Sequence, residues 1–145
     1  MKEKIDEITK KVEDMYKKYP YPSPSTDPSQ TNELLNLLKI FELESSIKLE
    51  GKNILDAGTG SGHRITNVAE FYKKSNFLGI DVSEKSLQIA KQLIKQKKIT
   101  NLKLENINLM NEFSKIGKFD IILCMGVLHH LSNPIKGLKN IKNVL

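Results

Sequence analysis

From residue 51 onward, short continuous apolar runs alternate with longer segments in which apolar residues recur every three or four positions. The runs are typical of β-strands buried on both faces, and the periodic segments are typical of amphipathic helices. A strand followed each time by a crossover helix predicts an α/β fold with a doubly wound parallel sheet. The predicted elements are strands 53–57, 76–81, 101–106 and 119–125, helices near 63–74 and 84–97, and a helix beginning near Pro134.

The first fifty residues have a different pattern. An amphipathic helix is predicted over 2–18, either packed on the domain or lying as a lid over a site. Prolines then break regular structure within 20–28. A second helix is predicted from Thr26 or Asp27 to the region 49–51. These helices form an extension ahead of the alternating core.

The first strand of the core ends in a glycine-rich turn. Asp56 closes the strand, and Gly58, Gly60 and Gly62 alternate with other residues before the next helix begins. Glycines accept positive φ angles and let a ligand approach the backbone where a Cβ would block it. The second strand ends in Asp81, at the spacing of a carboxylate that holds ribose hydroxyls. The turn and the acid together indicate a ligand that contains adenosine.

The spacing of the glycines bears on which ligand this is. A dinucleotide-binding loop has its third glycine three residues after the second, and that position here is His63. The loop is therefore a poor fit for a pyrophosphate. A nicotinamide-dependent oxidoreductase remains an alternative, and so does an unrelated α/β domain with a tight turn.

Several segments resemble the motifs of class I S-adenosylmethionine-dependent methyltransferases. The segment 56–62, Asp-Ala-Gly-Thr-Gly-Ser-Gly, resembles the first motif, and Asp81-Val-Ser resembles the second. The segments 102–109 and 117–134 resemble the third and fourth strands with their following loops. The resemblance implies a Rossmann-like sheet whose first four strands lie in the order 3-2-1-4, and S-adenosylmethionine as cofactor. The cofactor-binding residues that it implies are Asp56, Ala57, Gly58, Thr59, Gly60, Gly62, Asp81, Val82, Ile107, Asn108, Met125 and Gly126.

The resemblance gives each polar group an expected partner on the cofactor. Asp56 suits the amine, whereas the amide-rich turn and the following helix N-terminus suit the carboxylate. Asp81 takes the ribose hydroxyls. The exit of the third strand often carries an acid near the adenine amino group, and Asn108 is the nearest match in this chain. Its amide oxygen accepts the same kind of hydrogen bond.

Candidates for catalysis are few. His129 follows the fourth strand and is the candidate for contact with a methyl acceptor, but no general base is assigned. The adjacent His129 and His130 lack the i, i+4 spacing of metal ligands on a helix, so no metal site is predicted. His63 stands at a helix start and is expected to order the glycine turn. The Tyr19–Pro22 segment resembles one found in a subset of the family, and it either lines the site entrance or forms a rigid linker.

The net charge of +6 raises the question of nucleic-acid binding, which the residue types disfavour. Arg64 is the only arginine among 23 basic residues, although base edges and phosphates favour the planar fork of arginine. The single cysteine, Cys124, is predicted to be a buried strand residue in a reducing compartment. No apolar segment has the length of a membrane span or the pattern of a secretion signal, so we expect a cytoplasmic protein.

The leading functional hypothesis is methyl transfer from S-adenosylmethionine to a small-molecule acceptor. In this interpretation residues 1–50 are a helical extension and residues 51–145 form the cofactor-binding core. Relatives continue into further strands, so we expect the core to be incomplete. The functional alternatives are a cofactor-binding module without catalytic activity and the nicotinamide-dependent oxidoreductase. The alternative to an incomplete core is a homodimer that covers the apolar edge of the fourth strand.

Overall fold

The computed structural model of the chain describes residues 6–21, 23 and 31–145. Four parallel strands form one sheet in the order β3-β2-β1-β4, which is the predicted order. Helices cover both faces of the sheet, so the doubly wound α/β architecture is confirmed. The elements are α1 (Glu7–Lys18), α2 (Glu33–Ser45), β1 (Asn53–Ala57), α3 (His63–Phe71), β2 (Asn76–Asp81), α4 (Glu84–Lys97), β3 (Leu102–Asn106), β4 (Ile121–Leu123) and α5 (Pro134–Lys142), with short 3-10 turns at Ser114–Ile116 and Leu128–His130.

The central strand β1 explains why the sheet is buried on both sides. It pairs with β2 along its whole length and with β4 over three residues. Ile54 and Leu55 are both fully buried, and because successive side chains of a strand point to opposite faces, they enter different apolar clusters. Ile54 packs with residues of α2 and α3, whereas Leu55 packs with Ile141 and Val144 at the end of the chain.

The helix α2 is shorter than predicted at its carboxyl end. It ends at Ser45, where the Oγ atom donates to the Phe41 carbonyl at 2.6 Å, and Ser46 takes a left-handed conformation with φ 59°. The Leu49 N–H then donates to the Glu42 carboxylate at 2.7 Å. These local bonds replace the helical ladder and turn the chain toward β1. The predicted start of this helix, and residues 2–5 of the first one, lie outside the described residues.

Two further boundaries differ from the predictions. Helix α3 ends at Phe71 because Tyr72 leaves the helical region with ψ 71° and donates its hydroxyl to Glu42 at 2.8 Å. Strand β4 covers only 121–123 of the predicted 119–125. Before it, the Phe119 N–H donates to the Val144 carbonyl rather than to a strand. After it, Gly126 has φ 68°, which belongs to a turn, and half-buried Cys124 lies just beyond the strand.

The helix α1 packs against the core through α4 and the 128–130 turn. Its Asp6 N-cap accepts the Thr9 N–H at 3.0 Å, which fixes where the helix begins. The Lys85 ammonium donates to the Lys17 carbonyl at 2.6 Å, and the Tyr16 hydroxyl lies 3.1 Å from Nε2 of His130. The extension thus rests directly on the core, while its division from the core at residue 50 stays a prediction. Within the described residues, no helix combines the length and apolarity needed to cross a membrane.

Asn101 joins three parts of the fold at the amino-terminal edge of the sheet. Its side-chain amide donates to the carbonyls of Ala69, Tyr72 and Ser75, each at 3.0 Å. These carbonyls lie at the end of α3 and in the turn into β2, where the regular helical bonds stop, and that of Tyr72 also accepts the Ser75 N–H at 3.1 Å. One side chain therefore positions α3 relative to β3.

We predict that Asn101→Ala lowers the free energy of unfolding by about 1–3 kcal/mol, because buried carbonyls lose their donor. Urea denaturation followed by circular dichroism measures the change. Asn76→Ala is the matched control, since the exposed Asn76 amide makes a single side-chain contact, with Asn53 at 3.1 Å. Equal loss in both variants would show that the Asn101 contacts do not stabilise this edge.

Candidate ligand-binding site

A cavity of about 360 Å³ opens at the carboxyl ends of the strands. This is where ligands bind in parallel α/β sheets, because the loops after the strands diverge there. Ala57 and Gly62 of the predicted site residues do not line it. Those that do are Asp56, Gly58, Thr59, Gly60, Asp81, Val82, Ile107, Asn108, Met125, Gly126 and His129.

Ala57 and Gly62 have packing roles next to the cavity. Ala57 is fully buried in the apolar cluster beneath the sheet. Gly62 is the N-cap of α3 with φ 77°, and a Cβ built there would lie 2.6 Å from the Cβ of Ala90 in α4. A side chain at Gly62 would therefore push α3 away from α4.

In the glycine turn, Gly58 and Gly60 lack a Cβ where neighbouring segments of the protein approach them. At Gly58, with φ 88°, a Cβ would lie 2.3 Å from the Val127 side chain. At Gly60, with φ 57°, a Cβ would lie 2.6 Å from the Tyr21 carbonyl oxygen. Both glycines thus let neighbouring segments close on the turn.

The N–H groups of this turn already have acceptors within the protein. Two of them donate to a β2 carbonyl, one to a carboxylate, one to the extension and one within the turn. The pairs are Gly58 N and Thr59 N with Ile80 O at 2.8 and 3.0 Å, Gly60 N with Asp81 Oδ2 at 2.9 Å, Ser61 N with Tyr21 O at 3.2 Å, and Gly62 N with Thr59 O at 3.1 Å. The turn therefore packs closely against Val127 and Tyr21, and its own N–H groups are engaged.

Asp81 connects the turn after β1 with the turn after β2. Its Oδ2 accepts the Gly60 N–H at 2.9 Å, and its Oδ1 accepts the Ser83 N–H at 2.8 Å. Burial raises the pKa of this carboxyl, and the backbone N–H donors of Ser83, Gly60 and Val82 oppose the rise. Each carboxylate oxygen retains acceptor capacity for a ligand hydroxyl.

Asp56 is the most deeply buried charged group of the site, with 7% of its surface exposed. Burial raises its pKa from the ordinary 3.8 to about 6, and the charge of Asp81 adds to the rise. The nearby Thr59 hydroxyl and the Arg64 guanidinium oppose it in part. A carboxylate in this setting gains from a cationic partner, because such a partner restores the stabilisation that water no longer supplies.

Arg64 and Tyr21 form a pair at the rim that the sequence did not predict. The Arg64 guanidinium donates to the Tyr21 hydroxyl at 2.7 Å, and its central carbon lies 5.2 Å from the centre of that ring. Both side chains line the cavity. Tyr21 therefore lies at the site, whereas Tyr19 does not line the cavity and Pro22 lies outside the described residues.

The histidines differ in their surroundings. His129 and His130 both line the cavity, with ring centres 4.0 Å apart. Burial and the neighbouring His129 lower the pKa of His130, whose Nε2 lies next to the Tyr16 hydroxyl. His63 lies with Nδ1 2.9 Å from the Ser61 hydroxyl, an arrangement that ties the helix start to the glycine turn.

Asn108 lies at the β3 exit, as predicted, but its side chain also forms a turn. The Oδ1 atom accepts the Met110 N–H at 2.9 Å, so the carbonyl keeps one lone pair and the amide keeps its donors. Other residues of the wall were missed by the sequence analysis: Thr9, Val12 and Tyr16 come from α1. The amphipathic pattern of this helix was their only signal. In the described ranges, no group of three or more His, Cys, Asp or Glu side chains is placed to hold a metal.

Comparison with known proteins gives this arrangement a family. Residues 48–145 match the family model of a methyltransferase domain. An uncharacterized protein of Rickettsia prowazekii is 35% identical over 121 residues, which are 83% of this chain and 48% of that protein. The ubiquinone biosynthesis O-methyltransferase of Coxiella burnetii is 31% identical over 108 residues, 74% of this chain and 44% of the enzyme. The chain thus spans about half the length of these curated relatives.

Solved structures agree with the fold. PKMT2 from Rickettsia typhi, in complex with AdoHcy, is 35% identical with a TM-score of 0.62 over 68% of this chain and 20% of that one. Magnesium protoporphyrin IX methyltransferase from Synechocystis, with bound SAM, is 17% identical and has a TM-score of 0.74 over 99% of this chain and 74% of that one. The predicted cofactor is the ligand of the second structure, and the first holds the compound that the cofactor becomes when it gives up its methyl group. The chain belongs to the methyltransferase-domain family.

Proposed function

We propose that this chain binds S-adenosylmethionine in the cavity and forms the cofactor-binding part of a methyltransferase that acts on a small molecule. The observation that carries the proposal is the placement of two carboxylates, the buried Asp56 and the half-buried Asp81, in one cavity with the glycine turn. The cofactor offers a cation and a pair of ribose hydroxyls, which are the partners that such carboxylates need.

Each wall of the cavity suits a different part of the cofactor. Asp81 accepts the ribose hydroxyls with those lone pairs of its carboxylate that do not already accept the Gly60 and Ser83 N–H groups. Asp56 faces the ammonium and sulfonium end, where its charge is compensated. The β3 exit receives the adenine, with Asn108 beside its amino group and apolar Val82, Ile107 and Met125 against its ring. Ala57 and Gly62 support the turn from outside the cavity.

The chemistry supplied by the bound cofactor is transfer of an activated methyl group from sulfur to a nucleophile in line with the breaking bond. The protein's task is to align the acceptor and exclude water. A general base is needed only for an acceptor that loses a proton as it attacks. His129 is the candidate from the sequence, and it lines the cavity beside His130. Its catalytic role stays a prediction.

The acceptor is proposed to enter on the side of the cavity formed by α1 and the 128–130 turn. Tyr16, Val12 and the two histidines give this side an aromatic and apolar wall with few charges. One relative named above is an O-methyltransferase of ubiquinone biosynthesis, and another matched structure, of coclaurine N-methyltransferase, holds N-methylheliamine. Both names support a small-molecule acceptor. Because the chain spans about half of its relatives, cofactor binding without catalysis is the second candidate.

Calorimetric titration of the chain tests the proposal. We expect S-adenosylmethionine and S-adenosylhomocysteine to bind with micromolar dissociation constants, and NAD to give no heat. A radiolabelled methyl-transfer assay with phenolic and amine acceptors then separates an active enzyme from a binding module. Binding of NAD in the absence of binding to either sulfur compound would reject the proposal.

We predict that Asp81→Asn weakens S-adenosylmethionine binding by about 1–3 kcal/mol, because a charge-assisted acceptor of ribose hydroxyls is lost. Calorimetry measures the affinity, and circular dichroism checks the fold. Asp120→Asn is the control, since Asp120 accepts the Asn53 N–H at the opposite edge of the sheet. Unchanged affinity in a folded Asp81→Asn variant would mean that this carboxylate does not hold the cofactor.

We predict that Asp56→Asn stabilises the protein at pH 7.5 and weakens cofactor binding. The pKa of Asp56 is about 6 in the folded chain against 3.8 ordinarily, so the folded chain binds a proton more tightly than the unfolded chain does. The free energy of unfolding therefore falls as the pH rises from about 4 to 6. Removing the charge should therefore raise the free energy of unfolding by about 1–3 kcal/mol at pH 7.5.

Urea denaturation at pH 4 and pH 7.5 measures this effect, with Asp120→Asn as control. The gain should be absent at pH 4, where the wild-type carboxyl is already protonated. In the wild-type protein, affinity for S-adenosylmethionine should fall as the pH drops below 6. An equal change in stability at both pH values would contradict the assigned pKa.

A further inference from the structure

One side chain ties the exit of β3 to the exit of β2 from outside the cavity. Asn106 is the last residue of β3, and its register partner in β2 is Asp81. The side-chain amide of Asn106 donates to the main-chain carbonyls of Asp81 and Val82, each at 2.9 Å. The Ile107 N–H also donates to the Asp81 carbonyl, at 3.1 Å. Three hydrogen bonds thus join the two exits where the ladder between the strands ends.

The identity of Asn106 suits these two acceptors. Val82 lies between β2 and Ser83, the N-cap of α4, so its carbonyl belongs neither to the sheet ladder nor to the helix. An amide has two N–H donors and can reach two successive carbonyls, whereas a hydroxyl has one donor and an ionised carboxyl has none. Asparagine at this position therefore fixes the orientation of both peptide groups that follow Asp81.

These two peptide groups determine what the cavity presents to a ligand. Val82 after β2 and Ile107 after β3 both line the cavity, on either side of the bonds that Asn106 makes. The peptide between Val82 and Ser83 also supplies the Ser83 N–H, which donates to Oδ1 of Asp81 at 2.8 Å. Reorienting this peptide would therefore move the Val82 contact and change the direction of the Asp81 carboxylate together.

The bonds of Asn106 are expected to affect position more than global stability, because its side chain is exposed. When an exposed donor is removed, water replaces it at the carbonyls, so the folded state loses little free energy. Water does not hold the two carbonyls in one geometry, however. A ligand would then have to order the turn as it binds, and this cost lowers its affinity.

We propose that Asn106 is a positioning residue for the adenosine end of the cofactor, an inference that rests on the proposed function. It holds Val82 where the proposed site receives the adenine ring, and it holds the Asp81 carboxylate where the ribose hydroxyls bind. Asn106 itself does not line the cavity, so its effect on the ligand passes through these two residues. Loss of its amide should weaken every ligand that carries adenosine, without unfolding the protein.

Calorimetry with two ligands tests the proposal: S-adenosylmethionine, and methylthioadenosine, which lacks the amino-acid part. We expect Asn106→Ala to weaken both by a similar factor, about 3–10-fold, and to shift the melting temperature by less than about 2 °C. Asn106→Asp keeps the shape of the side chain, but it has no donor and places a charge beside two carbonyl oxygens. We expect it to lose at least as much affinity as Asn106→Ala.

Asn101→Ala is the matched control, because it also removes an amide that donates to main-chain carbonyls, at the opposite edge of the sheet. Asn101 is half-buried, so we expect the melting temperature to fall by about 5–10 °C while affinity for both ligands stays within about twofold. This opposite split between stability and affinity separates a positioning role from a merely structural one.

Several results would overturn the proposal. They are wild-type affinity in either Asn106 variant, weakening of S-adenosylmethionine without weakening of methylthioadenosine, and an equal loss of affinity in Asn101→Ala and Asn106→Ala. Binding of S-adenosylmethionine but not of methylthioadenosine by the wild-type chain would also reject the role of Asn106, while leaving the proposed function intact. Failure of the wild-type chain to bind S-adenosylmethionine would reject the proposed function as well.

Discussion

The site depends on one carboxylate that joins two turns. Asp81 accepts an N–H from Gly60, in the turn after β1, and another from Ser83, which begins the turn into α4. Neighbouring parallel strands bring these turns together, but only a short acidic side chain at the end of β2 can satisfy both. The bond to Gly60 ties the glycine turn, with its positive φ angles, to the end of β2, and Tyr21 and Val127 approach the turn where it has no Cβ. The geometry of the cavity follows from this contact.

The charged groups buried at the site destabilise the ligand-free protein. Asp56 and Asp81 line one cavity, and burial raises the pKa of both. Backbone donors offset part of this for Asp81, whereas Asp56 has less compensation. A cationic ligand compensates the buried negative charge, so the burial that destabilises the ligand-free protein provides free energy for binding. This is a common relation between stability and function at active sites.

The N-terminal extension is part of the site although the family match covers 48–145. The Tyr21 carbonyl closes on Gly60 and Ser61, and its hydroxyl accepts from Arg64. Helix α1 adds Tyr16, which lies against His130. The strand-end side of the cavity is thus built by the family domain, while the extension supplies a second wall and also closes on the glycine turn.

The strand order was implied by the resemblance to the methyltransferase family, whereas the sequence by itself determined the strands with their crossover helices and most of the residues at the strand ends, including Asp56 and Asp81. These are local signals: a buried strand is a continuous apolar run, and a glycine or an acid at its end is needed wherever the fold places it. The tertiary structure alone decided where α3 and β4 end, because Glu42 and Val144 provide bonds from distant positions. It also decided that Arg64 and Tyr21 meet at the rim, 43 residues apart. No periodicity encodes such a pairing, since it exists only once the chain has folded.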